Sequence, residues 1–353
     1  MLDIYTDYLI SSFGQAAATG LSRMVDGEIS HDKVTRSLAQ EAKRSSDLWR
    51  VVKPMVRSVE DVGQGSILVD DSILEKPYTD ENELVSWHYD YSKERHVKGI
   101  NFLSANYQID DLCLPLAFDL VTKDLLYVDE KTGNLKRRSA ISKNERCRML
   151  LRVCVQNQVK FRYVLNDSWF ASAQNMKFVK MDLKKEFVMP VKENRKVSIS
   201  LDEQKKGLFK KVSLLDLQVG VTTRIWLEEV EFPLHLIKEV FKNEDGSVGI
   251  RYLVTSDLQL DYDQIRKIYQ RRWKIEVYHK SLKQNASLEK SPTRTQTTQR
   301  NHLFASICAY VKLESLKMNT GISHFSLKSK LYLTALKTAY SELVKLKPQI
   351  AFA

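Results

Sequence analysis

Nowhere in the 353 residues do apolar side chains run for 18 positions, so no segment has the length to cross a bilayer as a helix. The opening MLDIYTDYLI lacks a basic stretch followed by an apolar run and a small-residue cleavage site, so no secretory leader is expected. Cysteine is scarce. Cys113, Cys147, Cys154 and Cys308 form no C-x-x-C pair and have no histidine at zinc-ligand spacing. That argues against a disulfide scaffold or a zinc module and leaves reduced thiols in a cytosolic protein. The seven histidines include no H-E-x-x-H, which removes a zinc-protease reading. Low-complexity tracts and internal repeats are also missing.

What is present is an ordinary globular composition, 43% hydrophobic and 28% charged, with length for two or three domains or one large domain with appendages. The formal charge is +11 and the pI about 9.2, which favours a polyanionic partner through phosphate neutralisation. The charge is unevenly spread. Residues 1–60 hold eight Lys/Arg and eight Asp/Glu, whereas residues 266–300 hold ten Lys/Arg against two Glu. Basic charge gathered around one segment is what a DNA channel requires.

Residues 1–60 read as helical, with Val34, Leu38 and Ala42 at helical spacing and Pro54 breaking the later part. This segment is either a small DNA-end-binding domain or a helical cap. The period then changes. Ser66–Asp71, Val97–Tyr107 and Leu112–Val121 read as strands, followed by a charged connector over 122–140. Ser142–Lys160 reads as a helix, Phe161–Asp167 as a strand, 168–183 as a helix and Phe187–Val191 as a fifth strand. Three strands, helix, strand, helix, strand is the α/β order of an RNase H-like core. Residues 192–256 read as a β-rich insertion: Val197, Ile199 and Leu201 alternate, Thr222–Phe232 is rich in β-formers, and Glu244-Asp245-Gly246 marks a turn between Leu236–Phe241 and Gly249–Thr255. Residues 260–285 form the clearest helix, with Asp261 as N-cap and Gln264 three residues on. Ser323–Lys347 is a basic amphipathic helix carrying Leu327, Leu331, Ala335 and Leu343 on one stripe. The expected organisation is a helical region at 1–60, a catalytic core at 64–310 and a helical region at 311–353.

Three carboxylates stand out. Asp70 closes the apolar strand SILVDDS, where a turn-forming Asp is the plain alternative; Asp71 beside it points to the opposite face. Asp167 closes FRYVLND and could simply cap the next helix. In the 260–285 helix, Tyr269, Arg272, Glu276 and Lys283 fall within roughly 60° of one another at 100° per residue, beside an apolar stripe of Ile268, Ile275 and Leu282. A charged sector is commonly just a solvated face, but this one borders the buried stripe. Phosphoryl transfer on DNA needs hard divalent cations held by carboxylates on rigid elements, and these residue types suit that chemistry.

The stretch YQRRWKIEVYHKSLK, Tyr269–Lys283, matches Tyr-x2-Arg-x3-Glu-x6-Lys and resembles the signature of bacterial insertion-sequence transposases of the DDE class. SILVDDS and YVLNDSWF look like that group's first and second Asp motifs, so the resemblance spans roughly residues 64–310. It implies an RNase H-like core with a β-rich insertion. It also implies cut-and-paste transposition: nicking at the element's end, hairpin formation, reopening and joining to target DNA. Asp70, Asp167 and Glu276 would hold two Mg²⁺ ions, with Mn²⁺ as a substitute; Asp71 is the minor alternative to Asp70. Tyr269, Arg272 and Lys283 would contact phosphates, Arg272 through paired donors. Trp273 is either near a flipped base or in the core, and Trp226 is a candidate stacking residue for which sheet packing is the favoured reading. Lys192, Asn194 and Arg195 could touch DNA or form an ordinary charged loop. The implied partners are duplex DNA with terminal inverted repeats, target DNA and a second copy of the chain in the synaptic complex. The implied location is cytoplasmic, on the nucleoid.

Overall fold

The computed structural model describes residues 1–91, 93–243 and 245–347, so Glu244 of the expected turn lies outside the described residues. Four helices come first: α1 (Leu2–Ser11), α2 (Ala18–Met24), α3 (His31–Leu38) and α4 (Ser45–Val59). Six strands follow: β1 (Ser66–Glu75), β2 (Ser86–Asp90), β3 (Arg95–Ile109), β4 (Leu112–Leu120), β5 (Leu125–Val128) and β6 (Leu135–Arg138). Next come α5 (Lys143–Gln156), β7 (Tyr163–Asn166), α6 (Ala173–Lys177) running into a π turn (Phe178–Asp182), and β8 (Glu186–Val191). The stretch after it contains β9 (Lys196–Ser198), a short α7 (Leu201–Lys205), β10 (Lys210–Lys211), β11 (Thr223–Leu227), β12 (Leu234–Lys242) and β13 (Val248–Thr255). The chain closes with α8 (Tyr262–Gln270), α9 (Trp273–Asn285), α10 (Gln296–Thr320) and α11 (His324–Leu346).

Ten strands lie in the order β10-β9-β11-β12-β13-β8-β7-β1-β3-β2 in one sheet, with β4 also paired to β3; β5 and β6 form a separate hairpin. Strand β7 is parallel to both β1 and β8, and the remaining pairings are antiparallel. The middle of this sheet is buried on both faces. Ile67, Leu68, Val69, Val164, Leu165, Phe187 and Val188 are all 0–1% exposed, and such continuous apolar runs are what a two-sided covered sheet demands. Helix α5 packs on β3 and β4 through its buried side, which includes Cys147, Leu150, Leu151 and Cys154, and its N-cap Ser142 accepts from the Glu145 N–H at 3.2 Å. This mixed α/β sheet with its helices is compatible with the RNase H-like expectation. The residues after β8 continue the same sheet rather than forming a separate layer.

By contact, the chain divides into two compact units, Ser45–Val277 with every strand, and Met1–Arg44 with Tyr278–Ala353. In the helical unit, α1 packs on α10, where the Tyr5 hydroxyl meets His302 Nδ1 at 2.9 Å. The Asn301 amide ties down the chain after α3: it accepts from the Lys43 N–H and donates to the carbonyls of Leu38 and Gln40. All four cysteines are buried, and burial pushes the Cys147 and Cys154 thiols up to about 12. No helix among the described residues is long and apolar enough to cross a membrane.

Several local expectations change. Helix α4 runs through Pro54 instead of stopping there; Pro54 is exposed, so water can take the place of the hydrogen bond its ring removes. Strand β1 does not end at Asp70 but continues to Glu75, because β3 is long enough to pair with all of it. The 122–140 connector contains the β5–β6 hairpin, and β2 was not foreseen at all. Leu201 does not continue the alternation of Val197; Ser200 caps α7 there through the Glu203 N–H at 3.2 Å. The 168–183 helix is a turn, then α6 capped by Ser172, then the π turn. The 260–285 helix is two helices, α8 and α9, separated at Arg271 and Arg272. There the N–H groups of Arg271, Arg272, Lys274 and Ile275 each bond three residues back, a tightened turn that rotates α9 away from a continuous 100° helical wheel.

Candidate active site

Strand β1 pairs in parallel with β7 as far as Val69↔Asn166, so Asp70 and Asp167 occupy the next position on each of two adjacent strands. On its other side β1 keeps its ladder with β3, where Asp70 faces Ser104. Asp70 is thus fixed by a continuing strand, and Asp167 sits where β7 has ended. Asp167 Oδ1 accepts the backbone N–H groups of Trp169 at 3.0 Å and Phe170 at 3.2 Å, which holds the turn that leads to α6.

The two aspartates make an electrostatically costly pair. Burial, then the charges of Asp167 and Asp71, push the Asp70 carboxyl up to about 8 from its ordinary 3.8. Asp167 is also raised, by burial first and with a contribution from the Asp71 charge. Asp71 points away from Asp70 along the strand and is differently served. It accepts from Asn101 Nδ2 at 2.5 Å and from Lys143 Nζ at 2.6 Å. Asp71 therefore already has a cationic partner, whereas the positive group that favours ionisation of both Asp70 and Asp167 is Arg272.

Arg272, in the tightened turn, donates to Glu276 Oε1 at 2.5 Å, and its guanidinium lies 5.7 Å from the Tyr269 ring centre. Burial works against the Arg272 charge, but Tyr269, Glu276 and Asp70 outweigh it and raise its pKa. The turn is anchored on the sheet unit: Arg271 donates to the Gln64 carbonyl at 2.7 Å, and Lys274 pairs with Asp111. The structure thus brings Asp70, Asp167, Arg272 and Tyr269 into one electrostatic neighbourhood, with Glu276 joined through Arg272. The three carboxylates do not form one cluster: no group of three or more His, Cys, Asp or Glu is arranged to hold a metal among the described residues. Even so, the donor set suits hard divalent cations. Two part-buried carboxylates side by side, with raised pKa values, form a local deficit of positive charge with oxygen ligands.

A cavity of about 670 Å³ opens beside Asp167, lined in part by Lys192, Asn194, Arg251 and Tyr269. Arg195, the third residue of that expected cluster, does not line it. Arg251 was missed by sequence reading; its guanidinium stands 5.0 Å from the Tyr269 ring centre and pairs with the buried Glu239 at 2.7 Å. Its only sequence signal was its place in an alternating strand. Trp273 is 63% exposed, which removes the core-packing alternative. Trp226 is half-buried on β11 with Arg224 lying 5.5 Å from its ring centre. Lys283 belongs to the helical unit, where it pairs with Glu289 at 3.3 Å.

Residues 67–312 match the transposase DDE domain family. No curated protein matches the chain. The family acts on DNA in transposition and recombination and generally uses divalent metal ions. The match begins three residues before Asp70, ends beyond α9 and covers well over half the chain, so the protein belongs to the DDE transposase domain family.

Proposed function

We propose that the protein is the transposase of a bacterial insertion sequence carrying the Tyr-x2-Arg-x3-Glu-x6-Lys motif, working by cut-and-paste with end nicking, hairpin formation and strand transfer. Asp70, Asp167 and Glu276 are the metal-holding set. The observation that carries this reading is the neighbouring position of Asp70 and Asp167 set by the parallel β1–β7 register, where burial first and then the charges of Asp167 and Asp71 drive the Asp70 carboxyl up to about 8. Two Mg²⁺ ions, or Mn²⁺ in their place, would supply stabilisation of the attacking and leaving oxygens during phosphoryl transfer.

The chain's own groups have distinct tasks. Arg272 offers paired N–H donors to a phosphate and also donates to Glu276 Oε1 at 2.5 Å. Tyr269, whose ring centre lies 5.0 Å from the Arg251 guanidinium and 5.7 Å from that of Arg272, lines the cavity beside Asp167 together with Arg251. Lys192 and Asn194 extend that wall towards the DNA backbone. Exposed Trp273 is assigned to a base, and Lys283, which pairs with Glu289 at 3.3 Å, to a phosphate. The net charge of +11 supports a long DNA contact. The partners are duplex DNA with terminal inverted repeats, target DNA and a second protomer in the synaptic complex. The segments 1–60 and 311–353 flank the catalytic core; 1–60 is proposed for end recognition and α11 for the contact between protomers.

The test is strand analysis on a denaturing gel. Purified protein with Mg²⁺ and labelled duplex carrying the element's terminal repeats is run beside Glu276→Gln. Metal-dependent nicks and hairpins are expected from the wild type, with at least a roughly hundredfold fall in the variant. Undiminished cleavage by the variant overturns the catalytic assignment. Binding without cleavage by either protein means a DNA-binding protein that has lost its chemistry.

A further inference from the structure

A row of exposed aromatic rings leads from the second aspartate to a basic cavity. Trp169, two residues after Asp167, meets Tyr91 with ring centres 5.5 Å apart. Tyr91 meets Tyr89 at 4.8 Å, and Tyr89 meets His96 at 5.2 Å. On β2 the burial alternates, so Trp87 and Tyr89 share the outward face while Ser86 and His88 are buried. Strand β2 is the edge of the large sheet, and the exposure of Trp87 and Tyr89 shows that its outward face is open. Trp169, Tyr89, Trp87 and Tyr91 are 44%, 41%, 51% and 67% exposed. Single exposed aromatics need no explanation. Four rings in a chain of tilted and edge-to-face contacts, with interplanar angles of 50°, 76° and 74°, and Trp87 beside Tyr89 on the outward face of β2, form a continuous aromatic row.

Cations accompany the row. Lys143 lies 5.9 Å from the Trp169 ring centre. At the far end, Trp87 and His96 line a cavity of about 570 Å³ together with Lys123, Lys136 and Arg137, against one carboxylate, Glu81. Lys123 donates to the Trp87 carbonyl, Lys136 pairs with Asp129 at 2.7 Å, and Arg137 reaches the Lys123 carbonyl at 3.4 Å. Lysine carries three donors and arginine five, so one contact each orients these groups without exhausting them.

We propose that this row binds the bases of an unpaired DNA strand, passing from Asp167 to the cavity beside the β5–β6 hairpin, with the cavity's cations on the phosphates. This deepens the transposase reading and rests on it: cleaving and rejoining duplex ends leaves strands that must be held apart. Flat faces beside cations fit single strands, because stacking on a side chain needs a base face that a duplex keeps covered. The row accommodates roughly four nucleotides, at the lower end of known single-strand site sizes.

The experiment is fluorescence anisotropy of full-length protein in EDTA, so that no strand is cut, with a labelled twelve-nucleotide oligo-dT and, separately, a blunt duplex. Trp87→Ala/Tyr89→Ala is compared with Trp87→Phe/Tyr89→Phe and the wild type. The alanine pair is expected to bind oligo-dT at least tenfold more weakly, the phenylalanine pair within twofold of wild type, and both to bind duplex within twofold. Unchanged oligo-dT binding by the alanine pair overturns the proposal. So does an equal loss for both DNA forms, which would mean phosphate contacts alone. Wild type that binds no oligo-dT overturns it too. Photocrosslinking of iododeoxyuridine-substituted oligo-dT to the wild type is a second readout independent of variant folding: crosslinks are expected on the peptide containing Tyr89 and Tyr91, and their absence refutes the row. Metal-dependent nicking of terminal-repeat duplex separates the two failures. It persists if only the row is wrong and is absent if the transposase reading is wrong.

Discussion

Replacing Asp70 by Asn should stabilise the metal-free protein while destroying its activity. In the fold the Asp70 carboxyl titrates near 8, against an ordinary 3.8, because burial and the charges of Asp167 and Asp71 oppose its ionisation. Its folded pKa is above its unfolded value. Between about pH 4 and pH 8 the folded state therefore holds a proton that the unfolded chain has released, and stability falls as pH rises through that window. At about 1.36 kcal/mol per pKa unit, the ceiling for a shift of this size is roughly 5–6 kcal/mol. Asp70 is only half-buried, and solvent and local relaxation reduce the effect to about 1–3 kcal/mol. Asparagine has nearly the same shape and no charge, so Asp70→Asn should remove the pH slope. In EDTA the variant should melt higher than the wild type by on the order of 5 °C at pH 8.5, with the gap closing towards pH 4. Added Mg²⁺ should stabilise the wild type selectively and narrow the gap, since a cation that binds only the folded form stabilises by mass action. Thermal melts at four pH values, with and without Mg²⁺, measure this directly. A variant no more stable than the wild type at pH 8.5 in EDTA would refute the claim that Asp70 is held at an electrostatic cost.

Two further substitutions probe the frame around the site. Asp257 is 5% exposed and accepts from Tyr163 at 2.8 Å and Arg162 at 2.6 Å; its pKa is lowered because these bonds outweigh the burial that opposes its charge. Its stabilisation is therefore present above its ordinary 3.8 and lost as pH falls through the lower folded value. Asp257→Asn should cost about 1.5–3 kcal/mol in urea denaturation at pH 7, with a smaller difference near pH 3; equal midpoints at pH 7 would contradict this. Gly99 lies opposite Glu75 on β1 and Ser86 on β2, and a Cβ there would collide with the Leu74 carbonyl oxygen. Gly99→Ala should force the ladders apart at a cost of about 1–3 kcal/mol, and a change below about 0.5 kcal/mol would show that the close approach is not enforced.

The legible parts of this chain were those whose pattern reports on their immediate neighbours. SILV before Asp70 and YVLN before Asp167 announced buried strands because a strand covered on both faces must be apolar throughout. Asp261 and Gln264 announced the start of α8, and the capping box forms as expected. The break between α8 and α9 was illegible, because Arg271 and Arg272 are good helix formers. What ends α8 is a turn anchored by Arg271 on the Gln64 carbonyl and by Lys274 on Asp111, far away in sequence. Pro54 misled in the opposite direction, since its cost depends on whether the orphaned carbonyl reaches water.

By itself, the sequence determined which residue types were available for chemistry, their order along the chain, the strands that carry both aspartates and the family resemblance. Tertiary structure decided what those residues meet. It set Asp70 level with Asp167 through the β1–β7 register, gave Asp71 to Lys143 and Asn101, and turned Glu276 towards Arg272. It also put Arg251 against Tyr269 and lined up rings from residues 89, 91, 96 and 169. Local propensity is a property of neighbouring residues and can be read along a chain. Charge pairing, burial and ring contacts depend on distances between segments tens to hundreds of residues apart, and only strand register and packing fix those.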